Sequence, residues 1–291
     1  MTVTGLRPCP PLRVEHRPPA ADSPLRAAPA RMRNYVLGGE EHFPADRSAV
    51  RKLIEAASWY ETSVRIGHDH GLRAAGLLAG KLGIRQFLDL GGSGLRLRPG
   101  YPDAYPRICS VLQDVIVVHI DTDATGTGPR GCTAQARHLD HLCVHADITQ
   151  PLPLLRNLAI QGFIDLSRPV GVIADNALSW IRDDAGVLHL MNQLRAWAPP
   201  GSAIALTHDT DDFTPSSEAK AVSACLREAG LSHRPRTHAQ ITRLLAPWQL
   251  HGPGLVATGH YFTHHGADAT PLDQHSAAYA TIALHPEPVP R

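Results

Sequence analysis

A chain of 291 residues, 43% hydrophobic and 19% charged, has room for one large domain or two small ones. Its formal net charge of +1, with no extended basic run, argues against nucleic acid or an anionic membrane as partner. No apolar run reaches the roughly 18 residues of a membrane span, and the N-terminus has no apolar signal core, so a cytoplasmic location is expected.

Residues 1–30 are rich in Pro, Ala and Arg and read as a disordered arm. Residues 31–47 form a turn-rich segment around Gly38-Gly39. Helices are expected over 48–58 and 69–82. In the second, Leu72, Ala75, Leu78, Ala79 and Leu82 share a face, Asp69 is placed to cap the start, and Gly83 ends it. Strands follow at 85–90, 115–120, 142–147, 170–175 and 203–207. Val115-Ile116-Val117-Val118 has the character of a strand buried on both faces. Between them, 95–113 is irregular, 124–137 is Gly-rich, and 151–161 and 183–197 read as helices. Further helices are expected at 217–229 and, capped by Thr237, at 238–246. Trp248–Leu250 and Leu255–Thr258 are expected to close the sheet as an antiparallel pair, with 267–291 a loose tail. Alternating strands and helices of these lengths predict an α/β fold with a mostly parallel, doubly wound sheet.

The cysteines (Cys9, Cys109, Cys132, Cys143 and Cys225) contain no C-x-x-C pair and read as reduced thiols. His138, His141, Cys143 and His145 match no standard zinc spacing, so no metal site is expected.

Asp89, Asp121 and Asp147 each stand at a strand end, and in a doubly wound sheet such ends share one rim. A carboxylate there suits the two hydroxyls of a ribose, because it only accepts hydrogen bonds. Asp147 is placed to take an adenine amino group. After the strand at 85–90, Gly91, Gly92 and Gly94 let the backbone approach a ligand closely. A dinucleotide needs G-x-G-x-x-G running into a helix whose N-terminus holds the pyrophosphate. Here Leu97-Arg98-Pro99-Gly100 is a poor helix start. S-adenosylmethionine has no phosphate, so the pattern favours it over a nicotinamide cofactor.

Several segments together resemble the actinobacterial S-adenosylmethionine-dependent methyltransferase family formerly labelled DUF574. They are Ala30-Arg31-Met32-Arg33-Asn34-Tyr35-Val36-Leu37-Gly38-Gly39 with Phe43-Pro44-Ala45-Asp46-Arg47, and Gly83-Ile84-Arg85-Gln86-Phe87-Leu88-Asp89-Leu90-Gly91. Asp121-Thr122-Asp123, Ala146-Asp147-Ile148, Asp165–Val170 and Gly252–Val256 continue the match. The resemblance implies a class I methyltransferase (Rossmann-like) fold over 31–266, with seven strands and the last antiparallel. It implies an N-terminal lid, 31–82, that brings Tyr35, Gly38 and Gly39 over the cofactor. It also implies that Asp89 and Gly91 begin the cofactor loop and that Asp121 holds the ribose. With Gly92, Ser93, Gly94, Thr122, Asp147, Ile148, Asp175 and Asn176 these form the expected cofactor site.

The family's second loop glycine is Ser93 here, and its Asn-x-His-Glu segment is Arg96-Leu97-Arg98-Pro99. The expected activity is methyl transfer to a small-molecule acceptor; the alternative is a catalytically inactive binding or regulatory protein of the same fold. Asp175 and His208 follow the fourth and fifth strands, and His208 is the candidate general base, with Asp175 the other catalytic candidate. Trp180 is a candidate wall of the acceptor pocket. The acceptor and the oligomeric state are not encoded in these patterns.

Overall fold

The computed structural model describes residues 25–91, 115–122, 141–160, 162–262 and 276–286. Three helices come first: α1 (Pro29–Val36), α2 (Pro44–Ala56) and α3 (Tyr60–Leu82). Then come β1 (Gln86–Leu90), β2 (Ile116–Asp121), β3 (His141–His145), α4 (Pro151–Ile160), β4 (Gly171–Asp175) and α5 (Asp184–Trp197). The chain closes with β5 (Ala203–Asp209), α6 (Ser216–Glu228), α7 (His238–Leu245), β6 (Gln249–Ala257) and β7 (Ala278–Leu284). The strands form one sheet in the order β3-β2-β1-β4-β5-β7-β6. β1 to β5 run parallel, and β7 lies antiparallel between β5 and β6.

The pleat sorts the core. Leu88 and Leu90 of β1 join Val118 and Ile120 of β2 on the face covered by α4, α5 and α7. Phe87 and Val117 point to the opposite face, under Ala74, Ala75 and Leu78 of α3. A smaller cluster ties α1 and α2 to α6 through Met32, Val50, Leu53, Val222 and Leu226.

Three expectations change. Residues 31–36 are helical rather than turn-rich. The reason is Asp46, fully buried, whose carboxylate accepts from Arg31 Nε (2.9 Å) and from the backbone N–H groups of Ala28 (2.9 Å) and Phe43 (2.7 Å). One side chain thus fixes the starts of α1 and α2, over a distance that local patterns do not report. Second, α3 begins at Tyr60, so Asp69 lies mid-helix and pairs with Arg73 (2.8 Å) instead of capping. The helix carries Gly67 where it passes the end of β4; a Cβ there would stand 3.2 Å from Asp175 Oδ1. Glycine is present for close approach and does not break the helix.

Third, the closing strand pair is not made within 248–258. Residues 249–257 are a single strand with a register shift between His251 and Val256, and its partner is β7, from the segment expected to be a loose tail. Ala-Tyr-Ala-Thr-Ile-Ala-Leu has no polar alternation because it lies between two strands, where Ala280, Thr281, Ile282 and Ala283 are all 0% exposed. Residues 1–24, including most of the expected arm, and Gly92, Ser93 and Gly94 of the cofactor loop lie outside the described residues.

Candidate functional site

A cavity of about 260 Å³ opens at the carboxyl ends of the parallel strands. Gly91, Thr122, Asp147 and Ile148 border it after β1, β2 and β3, and Asp175, Asn176 and Ala177 after β4. Pro29, Ala30 and Arg33 of α1, with Tyr60, Ser63, Val64 and Gly67 of α3, close it from above. Trp59, Trp180, Val222 and Leu226 give it an apolar side, and Asp209, Asp211 and His233 a polar corner.

The strand ends are tied to one another. Asp175 ends β4 and accepts from Thr207 Oγ1 of β5 (2.7 Å) and from the Arg33 guanidinium of α1. Arg33 also lies 2.8 Å from His68 Nδ1. Asn176 has φ 55°, the left-handed region that asparagine tolerates better than most side chains. In that conformation its amide Nδ2 donates to Asp209 Oδ2 (2.7 Å), while its Oδ1 accepts from the Asp209 N–H (3.0 Å) and from Ser179 Oγ (2.5 Å). Asp209 Oδ2 also meets His233 Nε2 at 2.8 Å. Burial, and after it the Asp209 carboxylate, raises the Tyr60 phenol. Burial together with Asp209 and Asp212 holds Asp211 above the usual carboxylate range, against the pull of His233.

The expected site residues distribute as follows. Gly91, Thr122, Asp147, Ile148, Asp175, Asn176 and Trp180 converge on the cavity. Gly91 has φ 77°, and a Cβ there would press to 3.1 Å from Ala177 Cβ, so glycine is required at this turn. Asp121 is the last residue of β2, in register with His145 of β3. Asp89 is buried beneath the rim, where its carboxylate meets His119 Nδ1 across the β1–β2 pair (2.7 Å), and it does not border the cavity. Tyr35, Gly38 and Gly39 also stand off it: Tyr35 packs edge-on against His42, and Gly39 fits tightly over the Asn34 amide. Of the expected lid, 31–82, the residues that reach in are Arg33, Trp59, Tyr60, Ser63, Val64 and Gly67.

His208 is not placed to act as the general base. Along β5, Thr207 and Asp209 line the cavity, and His208 between them faces the other way, as strand alternation requires. It is fully buried, with Arg236 Nη1 3.1 Å from Nε2 and the Asp209 carbonyl 2.9 Å from Nδ1. Arg236 can only donate, so Nε2 is the acceptor and the ring is neutral. Burial, and more weakly the Arg236 charge, moves its pKa down to about 4. The histidine that does line the cavity, His233, comes from the loop between α6 and α7 and carries no local sequence signal.

The remaining histidine cluster lies largely outside description: His138 is not among the described residues, nor are the side chains of His141, Cys143 and His145. Among the described residues no three metal-ligating side chains converge, and no helix is long and apolar enough to cross a membrane.

The strand order, the single antiparallel strand and a cavity at the parallel carboxyl ends define a class I methyltransferase architecture. A sequence model described as S-adenosyl methyltransferase matches residues 17–286, and the chain belongs to that family. It is an S-adenosylmethionine-dependent methyltransferase. Two solved structures are similar over nearly their whole length. One, a DUF574 family protein from Streptomyces avermitilis, is 27% identical with a TM-score of 0.78, over 90% of this chain and 98% of that one. The other, named as a candidate methyltransferase from Thermobifida fusca, is 25% identical with a TM-score of 0.79, over 92% and 98%. None of the curated proteins matches.

The wall fits the cofactor. Asp147 Oδ1 is occupied by the N–H (2.8 Å) and hydroxyl (2.7 Å) of Thr149, which leaves Oδ2 to accept from an amino group. Buried Ile148 beside it offers an apolar surface for a ring. Among the described residues, Asp147, Asp175, Asp209 and Asp211 face one guanidinium, Arg33, a balance suited to a cationic sulfonium.

Proposed function

We propose that the chain transfers the methyl group to a small-molecule acceptor held in this cavity. The observation that carries the reading is the continuity of the cavity, from the cofactor-type rim of Gly91, Asp147 and Ile148 to the aromatic side formed by Trp59, Tyr60 and Trp180. In this reading Asp121 takes the ribose, Thr122 and the Gly91 turn border it, Asp147 and Ile148 take the adenine, and Asn176 and Ala177 floor the methyl-donor end. The cofactor supplies an electrophilic methyl group on sulfur. The protein's share is then mainly positioning: it keeps the acceptor atom in line with that methyl and shields it from water. Arg33 and Asp175 fix α1 over the cavity, and Tyr60, Val64 and Trp180 confine a flat acceptor.

Calorimetric titration with S-adenosylmethionine and S-adenosylhomocysteine tests the site. Both are expected to bind, and Asp121→Ala and Asp147→Ala are each expected to weaken binding by about 10- to 100-fold, the scale of a lost hydrogen bond to a charged group. Variants that bind as tightly as the parent would refute the residue assignments.

A further inference from the structure

The Asp209–His233 pair is built into the cavity wall. His233 Nε2 meets Asp209 Oδ2 at 2.8 Å, and the imidazole packs on Trp180 with ring centroids 4.9 Å apart. Asp209 is fixed in turn: its carboxylate accepts from Asn176 Nδ2 (2.7 Å), and its N–H donates to Asn176 Oδ1 and Ser179 Oγ, both 3.0 Å. Asn176 is itself pinned to β5, its N–H donating to Thr207 Oγ1 (2.9 Å). The pair therefore rests on two adjacent strand ends, as a preorganised catalytic group must. With Nε2–H donated to the carboxylate, the lone pair of the neutral ring sits on Nδ1, which has no hydrogen-bond partner among the described residues. Among the described residues His233 is also the only histidine on the wall.

Resting on the methyltransferase reading above, we propose that His233, oriented by Asp209, is the base that deprotonates the acceptor, and that the acceptor is a neutral hydroxyaromatic molecule. A hydroxyl is a poor methyl acceptor until its proton leaves, whereas an already ionised carboxylate has no need of a base. A carboxylate acceptor would also face Asp175, Asp209 and Asp211, with Arg33 already committed to Asp175. The rings of Trp59, Tyr60 and Trp180 supply faces and edges for a planar aromatic. In the step, the acceptor O–H bond breaks and its proton goes to His233 Nδ1. The oxygen lone pair forms a bond to the methyl carbon, and the carbon–sulfur bond breaks with its electron pair left on sulfur. The products are an aryl methyl ether, neutral S-adenosylhomocysteine and an imidazolium paired with the Asp209 carboxylate. Asp209 is a positioning residue throughout.

The test uses 4-nitrophenol as acceptor probe, because its ionised form absorbs visibly. The full-length protein is first saturated with S-adenosylhomocysteine, confirmed by calorimetry. 4-Nitrophenol is then added at a pH where the free probe is mostly protonated. The expected result is a phenolate band that appears on binding, is lost in His233→Gln, and moves to higher pH in Asp209→Asn, with S-adenosylhomocysteine affinity unchanged in both. With S-adenosylmethionine in its place, 4-nitroanisole is expected to form, and His233→Gln to slow it by about 10²- to 10⁴-fold, the usual range for a general base. His233→Asn replaces the Gln variant if that one loses S-adenosylhomocysteine binding. A band that persists without His233 would overturn its role. Failure of the saturated parent to bind 4-nitrophenol, binding of the neutral form only, or methylation confined to amine or carboxylate analogues would overturn the acceptor class. Failure of the parent to bind S-adenosylhomocysteine would instead remove the reading beneath both.

Discussion

His208 and His70 are held uncharged inside the protein, and this sets how the fold responds to acid. His70 lies edge-on to Tyr261, with ring centroids 5.0 Å apart, and burial moves its pKa down to about 4, as it does for His208. In the unfolded chain each would titrate near 6.5. Below that pH the unfolded state takes up protons that the folded state refuses, so stability is intact above 6.5 and is lost as pH falls toward 4. Each group costs about 3 kcal/mol by about pH 4. Denaturant midpoints are expected to fall steeply between about pH 6.5 and pH 4, and His208→Gln to flatten that fall while lowering stability at neutral pH. A midpoint that does not change across this range would show the two rings to be charged when folded. His208 also marks a limit of sequence reading at this scale. His208 was legible as the residue that follows a strand, but whether it or its neighbour Asp209 faces the ligand depends on the phase of the pleat.

Among the elements, those with local signals were legible. The Asp183 side chain accepts from the N–H groups of Ala185 and Gly186 at the start of α5, and Thr237 and Gln240 form a capping box on α7; both starts fall within a residue of expectation. α1 was not legible, because Asp46, 15 and 18 positions away in sequence, organises it. Its other anchor is Arg33, which joins the lid to β4 by pairing with Asp175, a side chain only 8% exposed. Arg33→Met leaves that carboxylate without its cation. The expected cost is about 1–3 kcal/mol, with faster hydrogen exchange at amides 31–36. The double variant Arg33→Met/Asp175→Asn is expected to recover part of the loss, since it leaves no unpaired charge. Losses that simply add would mean that the pair does not couple α1 to the sheet.

For the whole molecule, the parallel half was readable because each strand is a short apolar run ended by an acid or polar turn. The antiparallel edge was not. β7 follows β6 only after a long connection over 258–277 instead of a tight hairpin turn, and its other partner, β5, ends at Asp209. Yet it is the strand on which closure depends. It pairs with β5 over seven positions, from Ala203↔Leu284 to Asp209↔Ala278, and so backs the strand end that carries Asp209. His285, just beyond it, donates its N–H to the Ser202 carbonyl (2.8 Å). A chain that stops at residue 266, the domain boundary suggested by composition, would expose one edge of β5 and leave β6 with no partner strand. It would also uncover apolar surface on both faces of the sheet. That truncation is expected to give no cooperative melting transition by circular dichroism, while a chain ending at Pro286 melts like the full-length protein. A cooperative melt from the shorter chain, with S-adenosylhomocysteine binding retained, would show that β7 is dispensable and that the five parallel strands with their helices fold and hold the site without it.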